Sequence, residues 1–260
     1  MSFVKFFHYN LIRQDVTDIL PDTEDAFFKA DNLKSHFRSK VYRTPDGTLT
    51  AGVTFDFITT EGVDSVLYKS GLESVGFVGD LTIKANPTNA SWGSPAFSTT
   101  LSVSEKFDVG FVTFPEESYR FWRVEASNPT GDYVELSKLF IGKHLSLEDS
   151  NSNIDFGWSW LYSDPSKIQR NRYQERFIDK LPQTDGISAS LKLLNKTEMG
   201  KVMDMFTTNG TTEPVWFITD EGGVFSDDKH RFTTMGFFDR IPRPTNTHFS
   251  LYGVDFRIVP

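Results

Sequence analysis

Arg120–Gly142 reads RFWRVEASNPTGDYVELSKLFIG, two alternating apolar runs on either side of the turn cluster Asn128–Asp132. Trp122, Val124 and Ala126 share a parity, which in a strand puts them on one face. In the second run Val134 and Leu136 share a face, while Leu139 and Ile141 have the opposite parity. A single extra residue near Ser137-Lys138, a β-bulge, would return all four to the same core. The segment is therefore read as a hairpin with one buried face, a rib of a β-core, and Trp122 as a core residue.

Working outward, the same alternation recurs at Val53–Ile58, Val63–Tyr68, Ser74–Val78, Leu81–Ala85 and Thr99–Val103. Turn formers separate these runs: Pro45-Asp46-Gly47, Glu61-Gly62, Gly79-Asp80, Asn86-Pro87 and Gly93-Ser94-Pro95. Short strands with such punctuation predict a sandwich or jelly roll. The stretch Leu147–Asn153 loses all apolar periodicity and reads as a linker. Beyond it, strands are expected at Ile154–Leu161, Gly186–Leu194, Pro214–Thr219, Phe232–Phe238 and Phe249–Ile258. One helix interrupts them, at about 196–208. Asn195 caps it with Glu198 three residues on. Met199, Val202, Met203 and Phe206 make its apolar stripe, and Asn209-Gly210 end it.

The predicted class is mainly β: an N-terminal jelly-roll β-sandwich (25–146) and a second β-domain carrying one amphipathic helix (154–260). An N-terminal arm (1–24) precedes them and the linker 147–153 joins them. A chain of 260 residues suits two ordinary cores. Its 25 Phe favour strands and large interfaces.

Charge and composition exclude several functions. A net charge of −8 argues against direct nucleic-acid binding, which needs an excess of Lys and Arg. Without Cys there is no disulfide, thiolate chemistry or Cys-ligated zinc. The opening MSFVKFFHYNLIRQD is too short and interrupted to span a membrane, and it lacks a secretory cleavage pattern. No membrane insertion is expected.

The search for chemistry finds no nucleophile elbow, phosphate loop, zinc-protease helix or dinucleotide fingerprint. His8, His36, His144, His230 and His248 are scattered singly, without metal-ligand spacing. The doublets Glu24-Asp25, Glu116-Glu117 and Asp227-Asp228 point to opposite faces if extended, so none supplies a facing carboxylate pair. Asp220–His230 is acidic and Gly-containing, but it departs from the calcium-loop pattern and reads as a hairpin loop. No enzyme activity, metal or cofactor is expected.

Three features are left as contact candidates. Trp92, in the loop TNASWGSPAF, could stack on a sugar ring. The run Lys167–Lys180 (KIQRNRYQERFIDK), read as an extended strand, places Arg170, Arg172 and Arg176 on one face, suited either to solvent or to an acidic neighbour. Phe3, Phe6 and Phe7, in the terminal arm, either tuck onto the chain's own sheet or insert into a neighbour, and assembly is the favoured expectation.

The segments FRSKVYRTPDGTLTAGVTFDF, VDSVLYKS and RFWRVEASNPTGDYVELSKLFIGK resemble the discoidin-type, galactose-binding-like jelly roll. They are most similar to its version in minor tail proteins of tailed bacteriophages. Asn32-Leu33, Tyr42-Arg43-Thr44, Phe55-Asp56-Phe57, Arg120–Arg123, Asn128–Gly131, Tyr133–Leu136 and Leu139–Gly142 occupy the motif positions. Ile58 stands where that pattern has Gly, and Ser137-Lys138 where it has Gly-Arg. The resemblance implies a structural protein of a long-tailed phage virion, in a ring of six-fold or three-fold symmetry at the distal tail or baseplate. Its partners would be further copies, the tail tube protein and tail-tip or hub proteins. It would be assembled in the host cytoplasm and located in the virion tail. The alternative is a carbohydrate-binding module contacting a host surface glycan.

Overall fold

The computed structural model describes residues 3–13, 18–37, 40–69, 79–103, 109–128, 131–147, 158–164, 166–170, 172, 176–179, 184–221, 233–248 and 251–259. These residues divide between two units. One is Tyr9–His144, and the other combines Met1–His8 with Leu145–Pro260. The strands begin with β1 (Phe3–Asn10), β2 (Asp18–Pro21), β3 (Tyr42–Arg43), β4 (Thr50–Lys69), β5 (Gly79–Asn86) and β6 (Phe97–Val103). They continue with β7 (Val109–Ser127), β8 (Glu135–Leu136) and β9 (Lys138–Leu147).

In the first unit β4 and β7 are long antiparallel partners whose register shifts between Asp56 and Glu61. The shift gives the two parts of β4 different neighbours. Ile19 of β2 lies opposite Phe55, and Ile141 of β9 lies opposite Val66. The end of β7 pairs with β5, Val124 opposite Ile83, and β5 pairs with β6. Alternation sends Val53, Phe55, Ile83, Trp122 and Val124 from one set of strands, and Leu136, Leu139 and Ile141 from another, into a single core. This is the expected jelly-roll β-sandwich. Trp122 is fully buried, 5.7 Å from the Phe97 ring and 6.0 Å from that of Phe114, and its indole N–H donates to the Tyr119 carbonyl at 3.1 Å.

The parity slip in the opening hairpin has a different cause from the expected bulge. Residue 137 separates β8 from β9, and the two pair with different strands, β8 with β3 and β9 with β4. A change of partner at Ser137, rather than an extra residue within one ladder, brings Val134, Leu136, Leu139 and Ile141 to the same core.

The remaining elements are β10 (Ser159–Ser163), β11 (Lys167–Arg170), β12 (Arg176–Asp179), β13 (Thr184–Leu194), α1 (Lys196–Asn209), β14 (Val215–Glu221), β15 (Thr233–Phe238), β16 (Pro244–His248) and β17 (Leu251–Val259). The sheet of the second unit runs β10-β13-β17-β15-β14-β1, with β16 on β17. The α1 cap is as the sequence indicates. Asn195 Oδ1 accepts from Thr197 and Glu198 N–H, both at 2.9 Å, and Glu198 accepts from the Asn195 N–H at 2.9 Å. Gly210 ends the helix at φ 56°, the left-handed region that favours glycine. The buried stripe is Met199, Val202, Met205 and Phe206, while Met203 is half-buried. The helix is thus rotated slightly from the expected seat.

The N-terminal segment is not a free arm. Residues 3–7 pair with β14, Phe6 opposite Phe217 and Phe7 opposite Trp216. Val4, Lys5, Phe6 and Phe7 are all buried, so both faces of this strand are covered. The Phe6 ring lies 4.7 Å from Phe217 and 5.4 Å from Phe256. The assembly contact expected of Phe6 and Phe7 is replaced by burial within their own chain, the lower-energy place for apolar rings. Phe3 lies opposite Glu221 in the same ladder. Residues 18–21 of the expected arm form a strand on β4. The expected strand Ser74–Val78 and linker residues 148–153 lie outside the described residues.

Candidate functional site

The outer face of the jelly-roll sheet follows from the same alternation that builds its core. With Val53, Val124 and Ile83 inward, Gly52, Thr54, Arg123, Glu125, Thr82 and Lys84 point outward. Register sets them in rows: Thr54 opposite Arg123 opposite Lys84, and Gly52 opposite Glu125 opposite Thr82. Asp22 and Thr23, just after β2, approach this face, held by the Asp22 N–H donating to the Gly52 carbonyl at 2.8 Å. Together with Thr48, Thr50, Asp80 and Ser127 they line a cleft of about 420 Å³.

Arg123 organises the cleft. Its Nε donates to Glu125 Oε1 at 2.8 Å, and Nη1 donates to Asp22 Oδ1 at 2.9 Å and to Thr54 Oγ1 at 3.1 Å. Nη2 pairs with the other Asp22 oxygen. Lys84 Nζ holds Glu125 Oε2 at 2.6 Å. Gly52 is required for this arrangement. A Cβ there would overlap both the Arg123 guanidinium and the Asp22 carboxylate, which lie flat over the backbone. Hydrogen bonding to Asp22 raises the Arg123 pKa further above its usual value. Burial pushes the Glu125 carboxyl up, but Lys84 and Arg123 outweigh it and hold it below its usual range.

Trp92 meets this cluster from the β5–β6 loop. The Arg123 guanidinium carbon lies 5.8 Å from its ring centroid, at the outer limit of a cation–π contact. Its indole N–H donates to Asn89 Oδ1 at 3.1 Å, and the ring is half-buried. The sequence singled out Trp92 but gave no sign of Arg123, Asp22 or Gly52 as its neighbours. The outward parity of Arg123 and Glu125 in the opening hairpin was the available signal.

Other predicted residues are placed elsewhere. Within KIQRNRYQERFIDK, Lys167–Arg170 and Arg176–Asp179 pair as the antiparallel strands β11 and β12 rather than lying along one extended strand. Arg170 lies opposite Arg176, Lys167 opposite Asp179, and Arg172 sits in the turn. All three arginines are exposed. Residues 222–230 of the acidic loop, with His230, lie outside the described residues. Among the described residues no cluster of three His, Asp or Glu could hold a metal ion, and no helix is long and apolar enough to cross a membrane. His144 pairs with Asp64, Nδ1 to Oδ1 at 2.8 Å.

Several other motif residues of the jelly-roll resemblance make contacts that fasten the fold. Asn32 Nδ2 donates to the Val41 carbonyl at 2.8 Å, and Tyr42 donates its hydroxyl to the Thr23 carbonyl at 2.7 Å. Burial pushes the Tyr42 hydroxyl up to about 12. The Arg43 guanidinium lies between the Phe28 and Tyr133 rings, at 4.2 and 4.1 Å, and pairs with buried Glu135 at 2.6 Å. Asn128 Nδ2 donates to the Tyr133 carbonyl at 2.9 Å and fastens the hairpin turn. Ile58 sits at φ 59°, a strained conformation for a β-branched residue that glycine adopts freely.

No protein family matches the chain, and no curated protein matches it. Solved structures of similar fold include chitosan-binding module 1 from a chitosanase/glucanase of Paenibacillus sp. IK-5. It has 15% identity and a TM-score of 0.42, over 52% of this chain and 100% of that one. The family 32 carbohydrate-binding module from C. perfringens NanJ, solved with galactose, has 14% identity and a TM-score of 0.43, over 54% and 99%. A Streptococcus pneumoniae fucose-binding module has 11% identity and a TM-score of 0.43, over 52% and 95%. Likeness at this level carries no ligand to this chain. The fold defines a two-unit, mainly β protein whose first unit is a jelly-roll β-sandwich.

Proposed function

We propose that the jelly-roll unit contacts carbohydrate through the outer-face cleft. One observation carries the reading: an aromatic ring, Trp92, lies beside an Arg–carboxylate cluster that lines a hydroxyl-rich cleft of about 420 Å³. Sugars present an apolar ring face and a rim of hydroxyls. They need a stacking surface together with fixed donors and acceptors; the cleft lining supplies the polar groups, and Trp92, next to Arg123, the ring face. Arg123, fixed by four hydrogen bonds to Asp22, Glu125 and Thr54, costs no ordering entropy on binding. The test is a glycan array probed with the full chain and with Trp92→Ala. Binding that is abolished by the substitution, with far-ultraviolet dichroism and melting temperature unchanged, supports the reading. A blank array, or binding indifferent to Trp92, overturns it.

A second reading states where such a chain works: as a structural, non-catalytic component of a long-tailed phage's distal tail or baseplate, forming a ring with copies of itself and meeting tail-tube and tip proteins. It is supported by the resemblance of the hairpin and its flanking motifs, and by the exposed Arg170–Arg176 pair in a chain of net charge −8. Two arginines facing each other across paired strands repel unless a carboxylate joins them, and an acidic neighbouring copy supplies carboxylates. The readings are compatible, since one concerns what a unit touches and the other what the chain builds. Sedimentation at micromolar concentration tests the second. Self-association that weakens with salt and with Arg170→Glu/Arg176→Glu supports it, and a strictly monomeric chain counts against it.

A further inference from the structure

Resting on the carbohydrate reading, we infer that the cleft selects sugars that bring their own hydrogen-bond donors, amino sugars above all, and rejects uronic and other acidic sugars. The argument is an inventory of what the cleft has left to offer. A guanidinium has five N–H donors. Arg123 directs four hydrogen bonds to Asp22, Glu125 and Thr54. Lys84 is directed to Glu125. Both cations beside the cleft are therefore engaged with carboxylates and cannot form a bidentate clamp on an incoming acid.

The carboxylates keep capacity. The Asp22 side chain is 52% exposed and that of Glu125 32%, and an ionised carboxylate offers about four acceptor sites. Asp80 is exposed, with Oδ1 taking one bond from Ser102 Oγ at 2.6 Å. Three carboxylates (Asp22, Asp80, Glu125) against two cations (Arg123, Lys84) leave the cluster with one net negative charge. The threonine hydroxyls lining the cleft adapt to either role and add no preference. An ammonium group on a sugar ring would meet acceptors and a favourable field. A uronate would meet like charge, with no cation disengaged to receive it.

The experiment is calorimetric titration of the full chain with three oligosaccharides of equal length: a glucosamine oligomer, its N-acetylated form, and a uronic acid oligomer. Each is run at low and high salt. The expected order is glucosamine, then N-acetylglucosamine, then uronate. The first step is roughly tenfold, as for one charge-assisted hydrogen bond, and shrinks with salt as exposed charges are screened. Asp80→Asn and Glu125→Gln should each lower the ratio of glucosamine to N-acetylglucosamine affinity. Equal affinities, or tightest binding of the uronate, would overturn the selectivity while leaving carbohydrate binding in place. Failure of all three to bind, with binding to other sugars on the array intact, would also overturn the selectivity, whereas a blank array would remove the carbohydrate reading itself.

Discussion

The two units of this chain are both antiparallel β structures, yet they are held in different ways. In the jelly-roll unit an aromatic and aliphatic core is joined by charged staples: Arg43–Glu135, Arg120–Asp56, Arg123–Asp22 and Lys84–Glu125. In the other unit, among the described residues, a ring cluster of Phe6, Phe217, Phe238 and Phe256, with Phe206 against Phe238, forms the centre of the core. Four carboxyls of the jelly roll are held below their ordinary range: Glu24, Asp56, Asp64 and Glu125. Apolar burial stabilises without regard to pH, whereas paired carboxylates stabilise only while ionised. The comparison therefore predicts that the units respond alike to core damage and differently to acid.

Core truncation should have the largest effect in both. Phe6→Ala and Trp122→Ala each remove a fully buried ring and should cost about 3–5 kcal/mol. Urea titration should show the first in the transition of the C-terminal unit and the second in that of the jelly roll. A Phe6→Ala protein of unchanged stability would mean that β1 contributes nothing to the core.

Acid should separate the units next. A carboxyl whose folded pKa is depressed contributes stability above its unfolded pKa, near 4, and loses it as pH falls through the folded value. The jelly roll should therefore melt at lower temperature as pH drops below about 4, ahead of the aromatic unit. Calorimetry across that range, with one transition shifting before the other, checks this. Coincident shifts would erase the distinction.

Gly52→Ala should displace the Arg123–Asp22 pair and cost about 1–3 kcal/mol, together with the cleft's binding. Chemical denaturation and the glycan array measure the two losses separately. Asn195→Ala removes the helix cap and should cost about 1 kcal/mol, in the C-terminal unit alone. The smallest effect is expected at Ile58. Changing it to Gly relieves a left-handed strain of about 1–2 kcal/mol and gives back about 0.5–1 kcal/mol in chain entropy. A slight gain in jelly-roll melting temperature should result, and a clear loss would show that the exposed Ile58 side chain stabilises the unit.

How far the sequence could be read depended on the range of each signal. Alternation identified the hairpin's buried face, and Asn195–Glu198 with Gly210 bounded the helix, because these depend on neighbours a few residues apart. The polarity of the terminal segment misled, since Phe6 and Phe7 find their partners Phe217 and Trp216 about two hundred residues later. Of the candidate site, the sequence singled out only Trp92, which sits beside Arg123. Asp22 lies 101 residues from Arg123, and no local rule joins them.

The sequence by itself determined the class: strands from period two, one capped helix from period 3.6, and a jelly-roll rib from the parity of RFWRVEASNPTGDYVELSKLFIG. Tertiary structure alone decided that Ser137 marks a change of sheet partner rather than a bulge, and that the first residues belong to the C-terminal unit. It also decided that Asp22 and Arg123 meet over Gly52, with Trp92 beside Arg123. Local periodicity tells a residue which way to face, but which strand lies beside it is set by burial and register across the whole chain.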